Sequence, residues 1–191
     1  MTKEQGAGRP RKSDSKLTKQ SIIAAALPIV QQHGVNALSF RALADQLGVT
    51  PMAVTYHSGS KSELLADLVE AAFRDALGEI GGRTATERAR LILVRYCTCA
   101  LRNAHLLRAV LNDTSIMGPS LYRITESLSQ NTKILNDGDK GDVLLHLLID
   151  YTHGFVLSAT ANNDNPLIID DFLRGLDWIL DRVVSNDEST K

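Results

Sequence analysis

Apolar residues recur along this chain at helical spacing. Between Thr18 and His33, the positions Ile22, Ile23, Ala26, Leu27 and Val30 share one side of a helix. Thr18 supplies an N-cap hydroxyl and Gly34 a stop, while Pro28, inside the run, predicts a kink. A second helix is predicted over 40–47 behind the cap Ser39, with Phe40, Leu43, Ala44 and Leu47 on one face. Gly48 and Val49 form a turn. Thr50 then caps a short third helix whose first position, Pro51, has no N–H to lose. Ser60 caps a fourth helix, expected from Lys61 to about Ile80, and Gly81–Gly82 interrupt the pattern.

Thr84–Ala85–Thr86–Glu87 has the form of a capping box and opens a helix expected to run to about Leu111. Gly118 and Pro119 start another, ending near Asn136, and 136–142 reads as a loop. Residues 142–160 are apolar on most of the helical circumference, so this helix must be covered on most sides. Asn165 and Pro166 are expected to cap and start a last helix reaching about Val184. No segment alternates as a strand. The fold class is all-α: an N-terminal three-helix helix-turn-helix domain, then a second α-helical domain. The expected divisions are a flexible basic arm at 1–15, the helix-turn-helix at 16–62 with a linking helix over 61–80, and the second domain at 83–185.

Charge sharpens this division. Residues 1–61 hold eight Lys or Arg against three acids, and the rest holds thirteen against nineteen. A basic head on an acidic body points to a polyanionic partner for the head. The two cysteines, Cys97 and Cys99, cannot frame a disulfide scaffold or a zinc site and read as buried or half-buried thiols. There is neither a signal peptide nor a membrane-length apolar run, so a cytoplasmic location without a membrane partner is expected. No paired-carboxylate motif, phosphate-binding Gly loop or nucleophile elbow appears, so no enzyme, metal or cofactor is expected.

The chemistry is concentrated in residues 38–65, LSFRALADQLGVTPMAVTYHSGSKSELL. Two short helices meet across Leu47–Gly48–Val49, held by Ala44, Val49 and Val54. The second presents Thr50, Met52, Ala53, Thr55 and Tyr56 outward, as a recognition helix entering a major groove must. The segment from about Lys16 to Ala72 resembles the DNA-binding domain of the TetR family. The likeness rests on His33–Gly34, Leu38–Ser39, Arg41–Ala44, Leu47–Gly48–Val49, Tyr56–His57, and Ser60–Lys61 before Glu63–Leu65. Thr55, Ser58 and Gly59 depart from residues usual in that family.

The resemblance implies a homodimeric, ligand-responsive transcriptional repressor on double-stranded DNA. Thr50, Met52, Ala53, Thr55 and Tyr56 would face DNA with His57 beside them, and Arg41 and Lys61 would hold phosphates. Arg9 and Arg11, flanking Pro10, would either lie in an AT-rich minor groove or remain in a solvated tail. Dimerisation is implied through 142–160 and 166–184. A small-molecule effector is implied inside the second domain, with Arg95, Tyr96, His105, Met117, Tyr122, His146, Asp150 and His153 as candidate contacts. His146, Asp150 and His153 fall on one helix face, which suits a metal ion, a polar ligand or, more simply, a cluster of core or interface histidines. Nothing points to tetracycline. An activator of the same fold and a protein-binding adaptor are the alternatives.

Overall fold

A computed structural model describes residues 17–137, 140–161 and 167–188. Among them are nine α-helices and no strand: α1 (Lys19–His33), α2 (Phe40–Leu47), α3 (Pro51–Ser58), α4 (Lys61–Phe73), α5 (Ala85–Arg102), α6 (Ala104–Asn112), α7 (Pro119–Leu135), α8 (Val143–Ala159) and α9 (Ile169–Glu188). Short 3-10 turns at Val35–Ala37 and Thr114–Ile116 complete the set. The all-α expectation holds.

The amino-terminal boundaries follow local chemistry. The Thr18 hydroxyl accepts from the Ser21 N–H, that of Ser39 from Ala42 and that of Thr50 from Ala53. Each satisfies a donor that a helix start leaves over. Pro28 does not interrupt α1. It and Ala24 are exposed, so the carbonyl deprived of its donor stays open to water.

Three boundaries depart from the sequence reading. The fourth helix ends at Phe73, well short of Ile80. Gly78 takes a left-handed φ of 54°, and the Arg95 guanidinium donates to the carbonyls of Leu77 (2.8 Å) and Glu79 (2.5 Å), fixing a non-helical turn. The helix expected over 84–111 is two helices, broken at Asn103. The Asn103 amide group donates to the Cys99 carbonyl (2.9 Å), and its oxygen accepts from Gln31 of α1 (2.9 Å), so the side chain competes with the helix ladder. The last helix starts at Ile169, where Asp171 accepts from the Ile168 N–H; the expected start at 165–166 lies outside the described residues.

One continuous apolar core joins all of these helices. Phe73, fully buried at the end of α4, packs on Tyr96 of α5, ring centroids 5.9 Å apart. At the far end, α8 and α9 pack closely because Gly175 has no side chain. A Cβ there would collide with the Tyr151 hydroxyl, which donates to the Phe172 carbonyl at 3.0 Å.

Candidate nucleic-acid interface and interior cavity

The angle between α2 and α3 is set by Gly48, left-handed at φ 68° and ψ 34°, with the Val49 N–H returning to the Ala44 carbonyl at 3.0 Å. An L-residue in that conformation would push its Cβ against the backbone. Leu43, Ala44 and Val54 are completely buried across the joint. Val54 and Ser58 thus face inward, and the opposite face of α3 is left to solvent.

That face carries the sequence-predicted residues. Met52 is 76% exposed and Tyr56 85%, values far above those of ordinary large apolar side chains in a packed helix. Thr50, Thr55 and His57 are exposed beside them, and Ala53 is half-buried. The His57 ring meets that of Tyr56 edge-on at 5.1 Å. The two threonines differ in what they offer. The Thr50 oxygen accepts from the Ala53 N–H (3.2 Å), which leaves its proton free to donate. The Thr55 hydroxyl donates to the Pro51 carbonyl (3.1 Å), which leaves lone pairs free to accept.

The rim is cationic. Arg41 is exposed on the first turn of α2 and Lys61 on the first turn of α4. Residues 46–62 contain no acid. At the start of α4, Ser60 and Glu63 form a reciprocal capping box, with the Ser60 N–H donating to Glu63 at 2.7 Å. That hydrogen bond, then the one from the Ser60 side chain, holds the Glu63 carboxyl below its usual range. The box occupies the N–H groups of Ser60 and Glu63; those of Lys61 and Ser62 remain for an anion. Arg9 and Arg11 lie outside the described residues.

The body contains an interior cavity of about 200 Å³ between α5, α6, α7 and α8. Of the sequence candidates, Tyr96, Met117 and His153 line it, with Val110, Leu121 and Leu128 among their apolar neighbours. Tyr96 Oη and His153 Nε2 are hydrogen-bonded at 2.8 Å. Burial pushes the Tyr96 hydroxyl well above its usual range and the His153 ring below its own, so both are neutral at pH 7.

The other candidates are elsewhere. Arg95 is committed to the carbonyls after α4 and borders a second, more polar cleft between α1, α4 and α5. His105 packs beneath Gly34, whose φ of 80° and missing side chain let the imidazole approach the end of α1. Tyr122, His146 and Asp150 are exposed. Although 146, 150 and 153 share a helical face, only His153 turns onto a covered part of it. Among the described residues, no three His, Cys, Asp or Glu side chains gather closely enough to hold a metal ion. The Cys97 thiol is pushed up to about 12 by burial, and Cys99 donates to the Ala72 carbonyl at 3.1 Å. No described helix is long and apolar enough to cross a membrane.

Sequence reasoning did not single out Glu70. From α4, its carboxylate accepts from the Ser120 N–H (2.9 Å) and hydroxyl (2.8 Å), fastening the first turn of α7. Gly118 permits this approach, since a Cβ there would fall 2.9 Å from the carboxylate. Met117 and Leu121, on either side of the fastening, both line the cavity. Glu70 sits 50 residues from Ser120, and no local pattern announces the pair.

Residues 22–68 match the family model described as bacterial regulatory proteins, tetR family. Over the whole chain, the structure resembles that of Mycobacterium smegmatis BioQ at 25% identity and a TM-score of 0.72, covering 89% of this chain and 99% of that one. It also resembles BioQ with its natural double-stranded DNA operator, at 24% identity and a TM-score of 0.69, with 89% and 99% coverage. Streptomyces coelicolor ActR in complex with (S)-DNPA matches at 18% identity and a TM-score of 0.68, with 90% and 99% coverage. No curated protein matches by sequence.

Proposed function

The chain belongs to the TetR family of bacterial regulatory proteins, whose DNA-binding domain it carries over residues 22–68, and from that premise we propose that it is a dimeric repressor released from a palindromic operator by a small-molecule effector. The observation that carries this reading is the outer face of α3. Large side chains at Met52 and Tyr56 stand in solvent on a helix whose other face is locked into the core. Thymine methyls suit Met52 and Ala53, and base edges suit Thr50 and Thr55. Arg41 and Lys61 supply phosphate contacts that set register. BioQ bound to its operator has the same fold, which supports placing DNA on this face.

Pairing two heads needs a dimer. Val143 and Leu147 on α8, with Ile168 and Trp178 at α9, expose apolar surface on the part of the chain most distant in sequence from the head. Gly154, with open space where a side chain would stand, admits close approach of a second backbone. A twofold dimer of this kind would set the two recognition helices one DNA turn apart, or a small multiple of it.

Release would be a shift between two populated states. A ligand against Met117 and Leu121 displaces the first turn of α7, Glu70 passes that displacement to α4, and α3 follows across Gly59–Ser60. DNA and ligand must then weaken each other by the same factor.

The test is selection of bound sequences from a random duplex pool, followed by affinity measurement across salt. A palindrome is expected, with affinity falling at least roughly a hundredfold between 50 and 200 mM salt. A pool without enrichment, or binding indifferent to salt, would reject the reading.

A further inference from the structure

The cavity's lining is unusual in what it lacks. Its twelve residues include no Asp, Glu, Lys or Arg. The nearby arginines are committed elsewhere: Arg95 to backbone carbonyls, Arg108 to Thr160 (2.7 Å) and Arg123 to Ser120 (3.0 Å). An ion entering would give up its hydration and find no counter-charge. The polar exceptions are Thr114, Thr125 and the Tyr96–His153 pair.

The pair can serve either kind of polar group. If the His153 N–H donates to Tyr96, the phenol proton is free for a ligand acceptor. If Tyr96 donates to His153, the phenol oxygen can accept from a ligand hydroxyl. Size sets a second limit. A dry apolar cavity of roughly 150 Å³ holds benzene, so about 200 Å³ accommodates on the order of ten heavy atoms.

From this lining we infer that the cavity takes a neutral, mainly hydrocarbon molecule of about ten heavy atoms carrying one hydroxyl or carbonyl that bonds to the Tyr96–His153 pair. Carboxylates of the same skeleton are excluded. The inference deepens the effector reading above by naming the chemical class of the ligand.

Three probes separate the contributions in calorimetric titrations of the intact protein: 4-propylphenol, propylbenzene and 4-propylbenzoate. The phenol is expected to bind about tenfold more tightly than the hydrocarbon, the increment of one hydrogen bond. The carboxylate is expected to bind at least roughly a hundredfold more weakly than the phenol. Tyr96→Phe should reduce the phenol to the level of the hydrocarbon and leave the hydrocarbon unchanged. Should that variant fail to fold, His153→Leu tests the same pair. Carboxylate binding equal to that of the phenol, no binding by any probe, or indifference of the phenol to both substitutions would overturn the assignment. Operator affinity measured in the same samples keeps the two readings apart. Phenol binding with unchanged operator affinity would leave the ligand class standing and remove the effector role.

Discussion

Two tyrosines show how differently the two halves of this molecule are organised. Tyr56 is 85% exposed on α3, and its neighbours come from a stretch of about twenty residues. Tyr96 is 6% exposed on α5, hydrogen-bonded to a histidine 57 residues away and packed on Phe73 from a third helix. The head turns its chemistry outward, so its probe is built by local rules of caps, turns and faces. The body turns its chemistry inward, so its cavity exists only after α5 to α8 have met. A surface probe can change without disturbing the fold, whereas a cavity residue is also a packing residue.

The largest test of that contrast joins the halves. Phe73→Ala removes a fully buried ring at the end of α4 and should cost about 3–5 kcal/mol. Urea unfolding should show the whole chain destabilised in one transition, because one core spans head and body. Two separated transitions would show that the halves fold independently.

Tyr56→Ala should do the opposite. Stability should stay within about 0.5 kcal/mol, as for other solvent-facing substitutions. Operator affinity should fall by about 1–3 kcal/mol, as for the loss of a good recognition contact. Thermal unfolding and anisotropy titration together check this, and a loss of stability without loss of affinity would give Tyr56 a structural role.

The smallest effect concerns acid. Arg90 on α5 donates to both oxygens of Asp177 on α9, at 2.6 and 3.0 Å. That hydrogen bonding holds the Asp177 carboxyl below its usual range. A carboxyl depressed by folding stabilises the fold above its unfolded value, and the contribution is lost as pH falls below about 4. Both side chains are 43% exposed, so screening keeps the contribution under about 1 kcal/mol. Asp177→Asn should lower stability at neutral pH by under about 1 kcal/mol, leave it nearly unchanged near pH 3, and so flatten the acid limb of the stability curve. Stability profiles of the two proteins from pH 3 to 7 will measure the difference.

What could be read from the sequence follows the same division. The limits of α2 and the start of α3 agree with the reading to the residue, because Ser39, Thr50, Pro51 and Gly48 each act on their own neighbours. The break at Asn103 depends on Gln31, 72 residues away, and the early end of α4 on Arg95, 16 to 18 residues further along. Neither partner is visible in a local window. The cavity was legible only in part for the same reason. Polar side chains such as His146 and Asp150 attract attention in a sequence, yet the walls are mostly leucine, isoleucine and valine supplied by α6 and α7.

The two-residue joint between α3 and α4 gives the molecule mechanical gearing. Thirteen residues of α4 form a rod about 20 Å long at 1.5 Å per residue. Tilting such a rod by about 5° carries one end roughly 1.7 Å relative to the other. Hydrogen bonds tolerate only a few tenths of an ångström. In the proposed release, a nudge too small to disturb the packed interior would therefore be large enough, at the tip, to lift side chains off a base edge.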